Sequence, residues 1–240
     1  MFVPNWQVPN QVKSLQTTRQ GGFSRAPYDS LNLGNHVGDS EHVVSQNRRL
    51  IKAPQPIQWL EQVHGDTIHE LTPNSFSIQP VVADAVFTRE KQLVCAVMTA
   101  DCLPILITDK QASFVAAIHC GWRGLQQRLI SKSLAVINPN NLSNVQVWLG
   151  PAIGELAFEV GEEVKSAFTQ ISTEYESAFL AKDDSKFLAN IYLLAQIELN
   201  KLGVQQISSD FECTFSQTEK YFSYRRETVT GRQASLIWIE

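Results

Sequence analysis

Apolar residues recur along this chain in two different rhythms, and the rhythms predict its elements. Between residues 81 and 119 lie four short runs rich in Val and Ile: 81–88, 93–99, 105–108 and 113–119. Polar turns such as Thr108-Asp109-Lys110-Gln111 separate them, which predicts strands. Residues 145–149 predict another strand, ended by Gly150-Pro151, and 207–209, 221–224 and 235–239 predict three more. Helical spacing takes over at Leu125, Leu129, Ile130, Leu134 and Ile137, so 125–137 is predicted as a helix entered from Cys120-Gly121-Trp122-Arg123-Gly124. Residues 41–51 predict a helix closed by Pro54; 162–168 and 187–202 predict two more, the second ended by Gly203. Gly21-Gly22, Pro27, Gly34 and Gly38 make 20–40 a loop-rich stretch with short strands. No repeat or Ser/Gly linker divides the chain. Strands and helices mix without strict βαβ alternation, which predicts one mixed α/β domain over residues 1–240 rather than a doubly wound parallel sheet.

Composition narrows the picture. The 240 residues are 43% hydrophobic and 18% charged, enough apolar material for a core, which excludes disorder as the main state. A formal net charge of -4 speaks against sequence-independent nucleic-acid binding, which needs a clustered basic face. The four cysteines, at 95, 102, 120 and 213, form no C-x-x-C pair, so zinc-ribbon and thioredoxin patterns are absent. The N-terminal residues show no basic segment followed by an apolar run. The longest apolar stretch, 93–100, is interrupted by Thr99 and falls far short of the roughly 20 residues a membrane helix needs. The expectation is a cytoplasmic protein with reduced thiols that engages neither nucleic acid nor membrane.

Three segments carry candidate chemistry: Glu61-Gln62-Val63-His64-Gly65-Asp66, Thr99-Ala100-Asp101-Cys102-Leu103-Pro104 and Ala117-Ile118-His119-Cys120-Gly121-Trp122-Arg123-Gly124. Cys102 and His119 lie at the outer ends of two predicted strands, and a hairpin through Asp109 brings those ends together. With His64 they make a three-ligand set suited to zinc, whose open fourth position is the mark of a catalytic site. The same residues allow a second chemistry, with Cys102 as nucleophile and His119 or His64 as base, oriented by Asp101, Asp84 or Gln62. Cys95 and Cys120 read as core residues. Arg123 at a predicted helix start is a candidate anion ligand, and Tyr224-Arg225-Arg226-Glu227 is a second basic spot. Residue type alone suggests no chemistry for Leu31-Asn32-Leu33-Gly34. A Walker A loop, a G-x-S-x-G elbow, a G-x-G-x-x-G loop and the H-x-E/P-C-x-x-C deaminase signature are all missing.

These segments belong to a longer ordered set. Leu31-Asn32-Leu33-Gly34, Gln62-Val63-His64-Gly65, Ala83-Asp84-Ala85, Thr99 to Pro104 and His119 to Gly124 are followed by Gly150-Pro151-Ala152-Ile153-Gly154 and Phe158-Glu159-Val160. Cys213-Thr214, Phe222-Ser223-Tyr224-Arg225-Arg226 and Thr230-Gly231-Arg232 complete it. From about residue 16 to 239 the chain resembles the purine nucleoside phosphorylase family also known as polyphenol oxidase or laccase-domain proteins. The resemblance implies a single mixed domain with helices packed outside β-sheets. It implies zinc held by His64, Cys102 and His119, and phosphorolysis of adenosine, inosine and methylthioadenosine to free base and ribose 1-phosphate. Adenosine deamination goes with it, as does editing of peptidoglycan precursors in some bacterial members. The segment Lys186-Phe187-Leu188-Ala189-Asn190 departs from the usual Asp-Leu opening and reads as the start of a helix.

The laccase label meets a count. A multicopper oxidase needs about ten His, since its type 1 copper alone takes two His and one Cys. This chain has five His, so a single copper would be adventitious. The substrates that the resemblance implies are a purine nucleoside and phosphate. Arg123 is the first candidate for phosphate or for orienting the site, with Arg48 and Asn32 behind it. A zinc-activated water is the expected nucleophile at purine C6 in deamination. Two alternatives stand: a Cys/His amide hydrolase acting on peptidoglycan precursors, and a non-enzymatic protein with structural zinc.

Overall fold

Leu103–Asp109 is seven consecutive buried residues, and it forms the middle of the larger sheet in this computed structural model, which describes residues 1–183 and 185–240. In chain order the first strands are β1 (Val12–Gln16), β2 (Ile57–Gln58), β3 (Leu60–Glu61), β4 (Ile68–Glu70), β5 (Val81–Val82), β6 (Ala85–Thr88), β7 (Val94–Thr99) and β8 (Leu103–Asp109). They are followed by β9 (Val115–Cys120), β10 (Val145–Leu149), β11 (Glu159–Gly161), β12 (Phe179–Ala181), β13 (Lys186–Ala189), β14 (Gln206–Ser209) and β15 (Gln233–Ile239). The helices are α1 (Glu41–Arg49), α2 (Trp122–Gln126), α3 (Leu129–Ile137), α4 (Glu162–Thr169), α5 (Ile191–Lys201) and α6 (Tyr224–Glu227).

Two mixed sheets form the frame. One has the order β1-β15-β7-β2, the other β14-β10-β8-β9-β6-β4. Alternation along the central strands sorts their side chains. Leu103, Ile105 and Ile107 of β8, with Ala116, Ile118 and Cys120 of β9, face a cluster that includes Leu125, Leu129 and Leu134 of α2 and α3 and Leu194 and Leu199 of α5. Leu106, Val115 and Ala117 face the other way, toward Cys95, Val97 and Ile237 of the four-stranded sheet. The outer face of that sheet carries Val94, Ala96, Leu236 and Trp238, covered by Leu31, Leu33, Ile51 and Trp59. The fold is the expected mixed α/β class, with helices outside sheets. Because both faces of β7, β8 and β9 are covered, their sequences are apolar throughout rather than alternating.

Several predicted elements change on folding. The helix expected over 125–137 is two helices, broken at Arg128, whose φ of 62° is left-handed. The helix expected from 187 starts four residues later. Residues 186–189 instead form β13 between β11 and β12, and Asn190 caps α5 by accepting from the Leu193 amide at 2.9 Å. The same fact corrects the reading of 186–190 as a helix start. No strand forms over 221–224: Gln233 takes the place of a neighbouring strand, its side chain bonding both the amide and the carbonyl of Phe222, and Ser223 caps α6. Residues 20–40 contain no strand. Buried Asn47 of α1 ties that stretch together, donating to Ser24 Oγ and the carbonyls of Ser30 and Asn32 while accepting from the Phe23 amide.

Candidate active site

The β8–β9 hairpin does what its sequence predicts. Pro104 pairs with His119 and Leu103 with Cys120, so Cys102, one residue before β8, lies across from the end of β9. Ile118 and Cys120 point into the helix-side core, leaving His119 on the opposite face. His64 arrives from the loop after β3. The ligating atoms of His64, Cys102 and His119 lie within 4.8 Å of one another. Cys102 Sγ is 3.6 Å from His64 Nε2, and the two imidazole rings meet edge to face with centroids 4.8 Å apart.

Asp84, fully buried between β5 and β6, organises this triad. One carboxylate oxygen sits 2.8 Å from His119 Nδ1 and accepts from the His64 amide at 3.0 Å. The other accepts from the amides of Gly65 at 2.7 Å and Val63 at 3.2 Å. These three amides wrap the carboxylate and hold His64 at φ 60°, an uncommon conformation for a residue with a Cβ. Because Asp84 accepts a hydrogen bond from His119 Nδ1, Nε2 is left to face the cluster. Sequence reading had offered Asp84, Asp101 and Gln62 as equal orienting groups. The structure gives the histidine contact to Asp84. The Gln62 side chain clamps the backbone of Met98 through both its oxygen and its nitrogen, at 2.8 and 2.7 Å. The Asp101 carboxylate accepts from the Thr214 hydroxyl and the Arg225 amide, both at 2.6 Å.

The electrostatics favour a thiolate. Burial opposes ionisation of Cys102, but the charge of His119 and hydrogen bonds from His119 and His64 outweigh it and bring the thiol down to about 6. Burial likewise opposes charge on His119, yet the Cys102 thiolate and Asp84 raise it to about 9. Cys95 and Cys120 have no such neighbours; burial pushes both thiols up, as expected of core residues. A thiolate beside two imidazoles, one held by a buried carboxylate, is a donor set that fits zinc and also fits copper.

The triad opens onto a cleft of about 510 Å³, within the usual size of a small-molecule site. Trp122, Ile153 and Phe158 supply apolar walls. Arg123 lines the cleft, its guanidinium stacked 4.4 Å from the Trp122 ring. The helix it opens is only five residues long, so the anion site expected at a helix start lacks a sustained dipole. The other two basic or polar candidates lie outside the cleft lining. Arg48 spends Nε and Nη2 on the Leu33 carbonyl, at 2.9 and 2.8 Å, and stacks on Trp59. Asn32 is fully buried, holding the amides of Gly34 and Arg232 and donating to Asp39. Arg48 acts on backbone, and Asn32 on backbone and the Asp39 carboxylate. Among the polar and charged residues of the cleft, sequence reasoning had not singled out His36 or Arg232, and had noted Tyr224 and Arg225 only as part of a second basic spot.

Known proteins resemble this chain over its whole length. The family model described as "Multi-copper polyphenol oxidoreductase laccase" matches residues 13–240. Purine nucleoside phosphorylase YfiH of Escherichia coli is 44% identical over 243 residues, covering 100% of this chain and 98% of that protein. Purine nucleoside phosphorylase PA4543 of Pseudomonas aeruginosa is 43% identical over 242 residues, again covering 100% and 98%. The crystal structure of Neisseria meningitidis protein NMB0706 superposes with a TM-score of 0.95 at 39% identity, covering 100% and 98% of the two chains. The resemblance carried by the motifs holds over the same span, and the chain belongs to the family described as multi-copper polyphenol oxidoreductase laccase, alongside YfiH of Escherichia coli.

Proposed function

We propose that this protein is a zinc-dependent purine nucleoside phosphorylase with adenosine deaminase activity. The observation that carries the reading is the His64, Cys102, His119 cluster opening onto a cleft large enough for a nucleoside, in a chain whose relatives bear that enzyme's name. His64 Nε2, Cys102 Sγ and His119 Nε2 would hold the metal. When bound, zinc supplies Lewis acidity at the cleft floor. Asp84 keeps a proton on His119 Nδ1 and so keeps Nε2 directed at the cluster. Trp122, Ile153 and Phe158 offer the base an apolar slot from which water is displaced. Arg123 and its cationic neighbours favour a phosphate beside the sugar. In phosphorolysis a phosphate oxygen bonds to C1′ while the C1′–N9 bond breaks and its electron pair leaves with the base. In deamination water adds at C6 and ammonia departs, turning adenosine into inosine.

Four free cysteines and the absence, among the described residues, of any helix long and apolar enough to cross a membrane support a cytoplasmic setting. The test is product analysis of adenosine incubated with zinc-loaded protein, with and without phosphate. Adenine only in the presence of phosphate is expected, with inosine in both. Cys102→Ala should abolish both products; full activity in that variant would overturn the zinc assignment. A second reading rests on the lowered Cys102 thiol 3.6 Å from His64, which also suits nucleophilic amide hydrolysis. Activity that survives chelation and is blocked by iodoacetamide at Cys102 would select it.

A further inference from the structure

Three arginines outside the cleft pair with carboxylates. Arg19 contacts Asp29 and Glu227, Arg128 contacts Glu198, and Arg226 contacts Glu227. Among the described residues the three cleft arginines, Arg123, Arg225 and Arg232, pair with no carboxylate. Arg232 stands out among them. It is partly buried, and burial lowers its pKa, which marks a cation short of solvation. Cys102 and Asp101 lie near enough to act on its charge, but the Asp101 oxygens are engaged by Thr214 and Arg225. Its Nη1 donates to the carbonyls of Thr230 and Gly231, both at 3.0 Å. Nε and Nη2 donate to no group among the described residues. That free edge is the two-pronged fork that grips an oxyanion side-on.

The Leu31-Asn32-Leu33-Gly34 segment, which suggested no chemistry by residue type, builds the seat of this arginine. Asn32 accepts from the Arg232 amide at 2.9 Å, and the Leu33 amide donates to the Arg232 carbonyl at 3.1 Å. A Cβ on Gly34 would stand 2.9 Å from Arg232 Cγ and 3.3 Å from its Cβ, so only glycine lets the stem pass. Arg48 in turn clamps the Leu33 carbonyl. His36, just beyond this loop, lines the same cleft, and after burial the charge of Arg232 is the largest influence lowering its pKa. A chain segment some 200 residues distant thus fixes the backbone and the stem of one cleft arginine.

We infer that Arg232 is the principal ligand of a phosphate-group subsite in this cleft, seated by the 31–34 loop and flanked by His36. The inference rests on the phosphorylase reading for the identity of the phosphate as co-substrate; the fork itself recognises any tetrahedral phosphate, whether inorganic or carried on a nucleotide.

The test titrates inorganic phosphate and, separately, adenosine 5′-monophosphate into the zinc-loaded protein by calorimetry, alongside the KM for phosphate in adenosine cleavage. Arg232→Gln should weaken phosphate binding and raise that KM about 10- to 100-fold, while changing the KM for adenosine by less than about twofold. Arg232→Lys should recover part of the loss, since it keeps the charge and loses the fork. Gly34→Ala removes no charge yet should shift phosphate affinity the same way, and it decides the matter if Arg232→Gln does not fold. Arg232-dependent binding of the monophosphate without inorganic phosphate binding would keep the subsite and assign it to a substrate-borne phosphate. Affinity that is the same in wild type, Arg232→Gln and Gly34→Ala, or no binding of either ligand, overturns the inference. Arg232-dependent phosphate binding without release of purine base would leave the subsite standing and remove the phosphorylase reading.

Discussion

At the scale of single residues, Asp84 bears the heaviest duty in the site. Its two oxygens serve four donors, three of them backbone amides of the His64 loop. An asparagine there keeps one acceptor and turns an amide group toward N–H donors. Asp84→Asn should therefore lower metal affinity about 10- to 100-fold, by the usual weight of a ligand's hydrogen-bonded partner. It should also cost about 2 kcal/mol or more of stability, because buried donors lose their acceptor. A metal-competition titration and a denaturant melt of the same variant read the two effects separately. Protons make a second residue-scale prediction. In metal-free protein at pH 7, His119, raised to about 9, holds a proton that metal must displace, whereas Cys102, lowered to about 6, is already a thiolate. Zinc affinity should then fall about tenfold per unit as pH drops from about 8.5 to about 6.5, and more steeply below about 6, where Cys102 also takes up a proton. An affinity flat across that range would contradict the ionisation states assigned here.

Among elements, the junction of β9 with α2 decides whether the ligands fit together. Gly121 is the residue before α2, and a Cβ there would lie 3.1 Å from both Cys102 Sγ and His64 Cδ2. Two ligands would have to move by a few tenths of an ångström in a site where neither is free to retreat. Gly121→Ala is expected to reduce metal affinity and turnover about tenfold or more while moving Tm by only about 2 °C, as fits a local clash at the rim of the core. Metal analysis and a thermal melt on one preparation check this; an unchanged metal content would show that the loop absorbs the methyl. The hairpin register matters in the same way. A slip of one residue between β8 and β9 would exchange His119 for Cys120 on the site face and bury an imidazole in the helix-side core.

For the molecule as a whole, the family's copper description implies more metal ligands than this chain's histidines offer. The five histidines are spread over the chain, and among the described residues only His64 and His119 join a cysteine in a cluster that could ligate a metal. Elemental analysis of purified protein should find about one metal per chain and no set of coppers. Chelation should lower Tm and zinc should restore it, because a metal that binds only the folded state stabilises by mass action. Two or more coppers per chain, with oxidase activity, would reverse this conclusion.

Much of this was legible before folding was considered. The apolar runs marked β7 to β10, because strands covered on both faces leave an uninterrupted hydrophobic signature. The Asp109 turn and the positions of Cys102 and His119 at the hairpin ends followed from the same pattern, since hairpin pairing is local in sequence. What the pattern could not decide was the partner of each polar side chain. Asp84 was indistinguishable from Asp101 until folding set one against His119 and the other against Thr214 and Arg225. Arg48 and Asn32 share the residue types of ligand-binding groups, yet folding turns Arg48 onto backbone and Asn32 onto backbone and Asp39, while Arg232, unremarkable in its motif, keeps a free guanidinium edge in the cleft. The helix expected over 187–202 lost its first turn to β13 for a similar reason: β11 and β12 offered pairing that periodicity along one segment does not record. Periodicity and spacing report how a chain meets its own neighbours in sequence. Which group faces the cleft depends on contacts across as many as 200 residues, and only the packed structure supplies them.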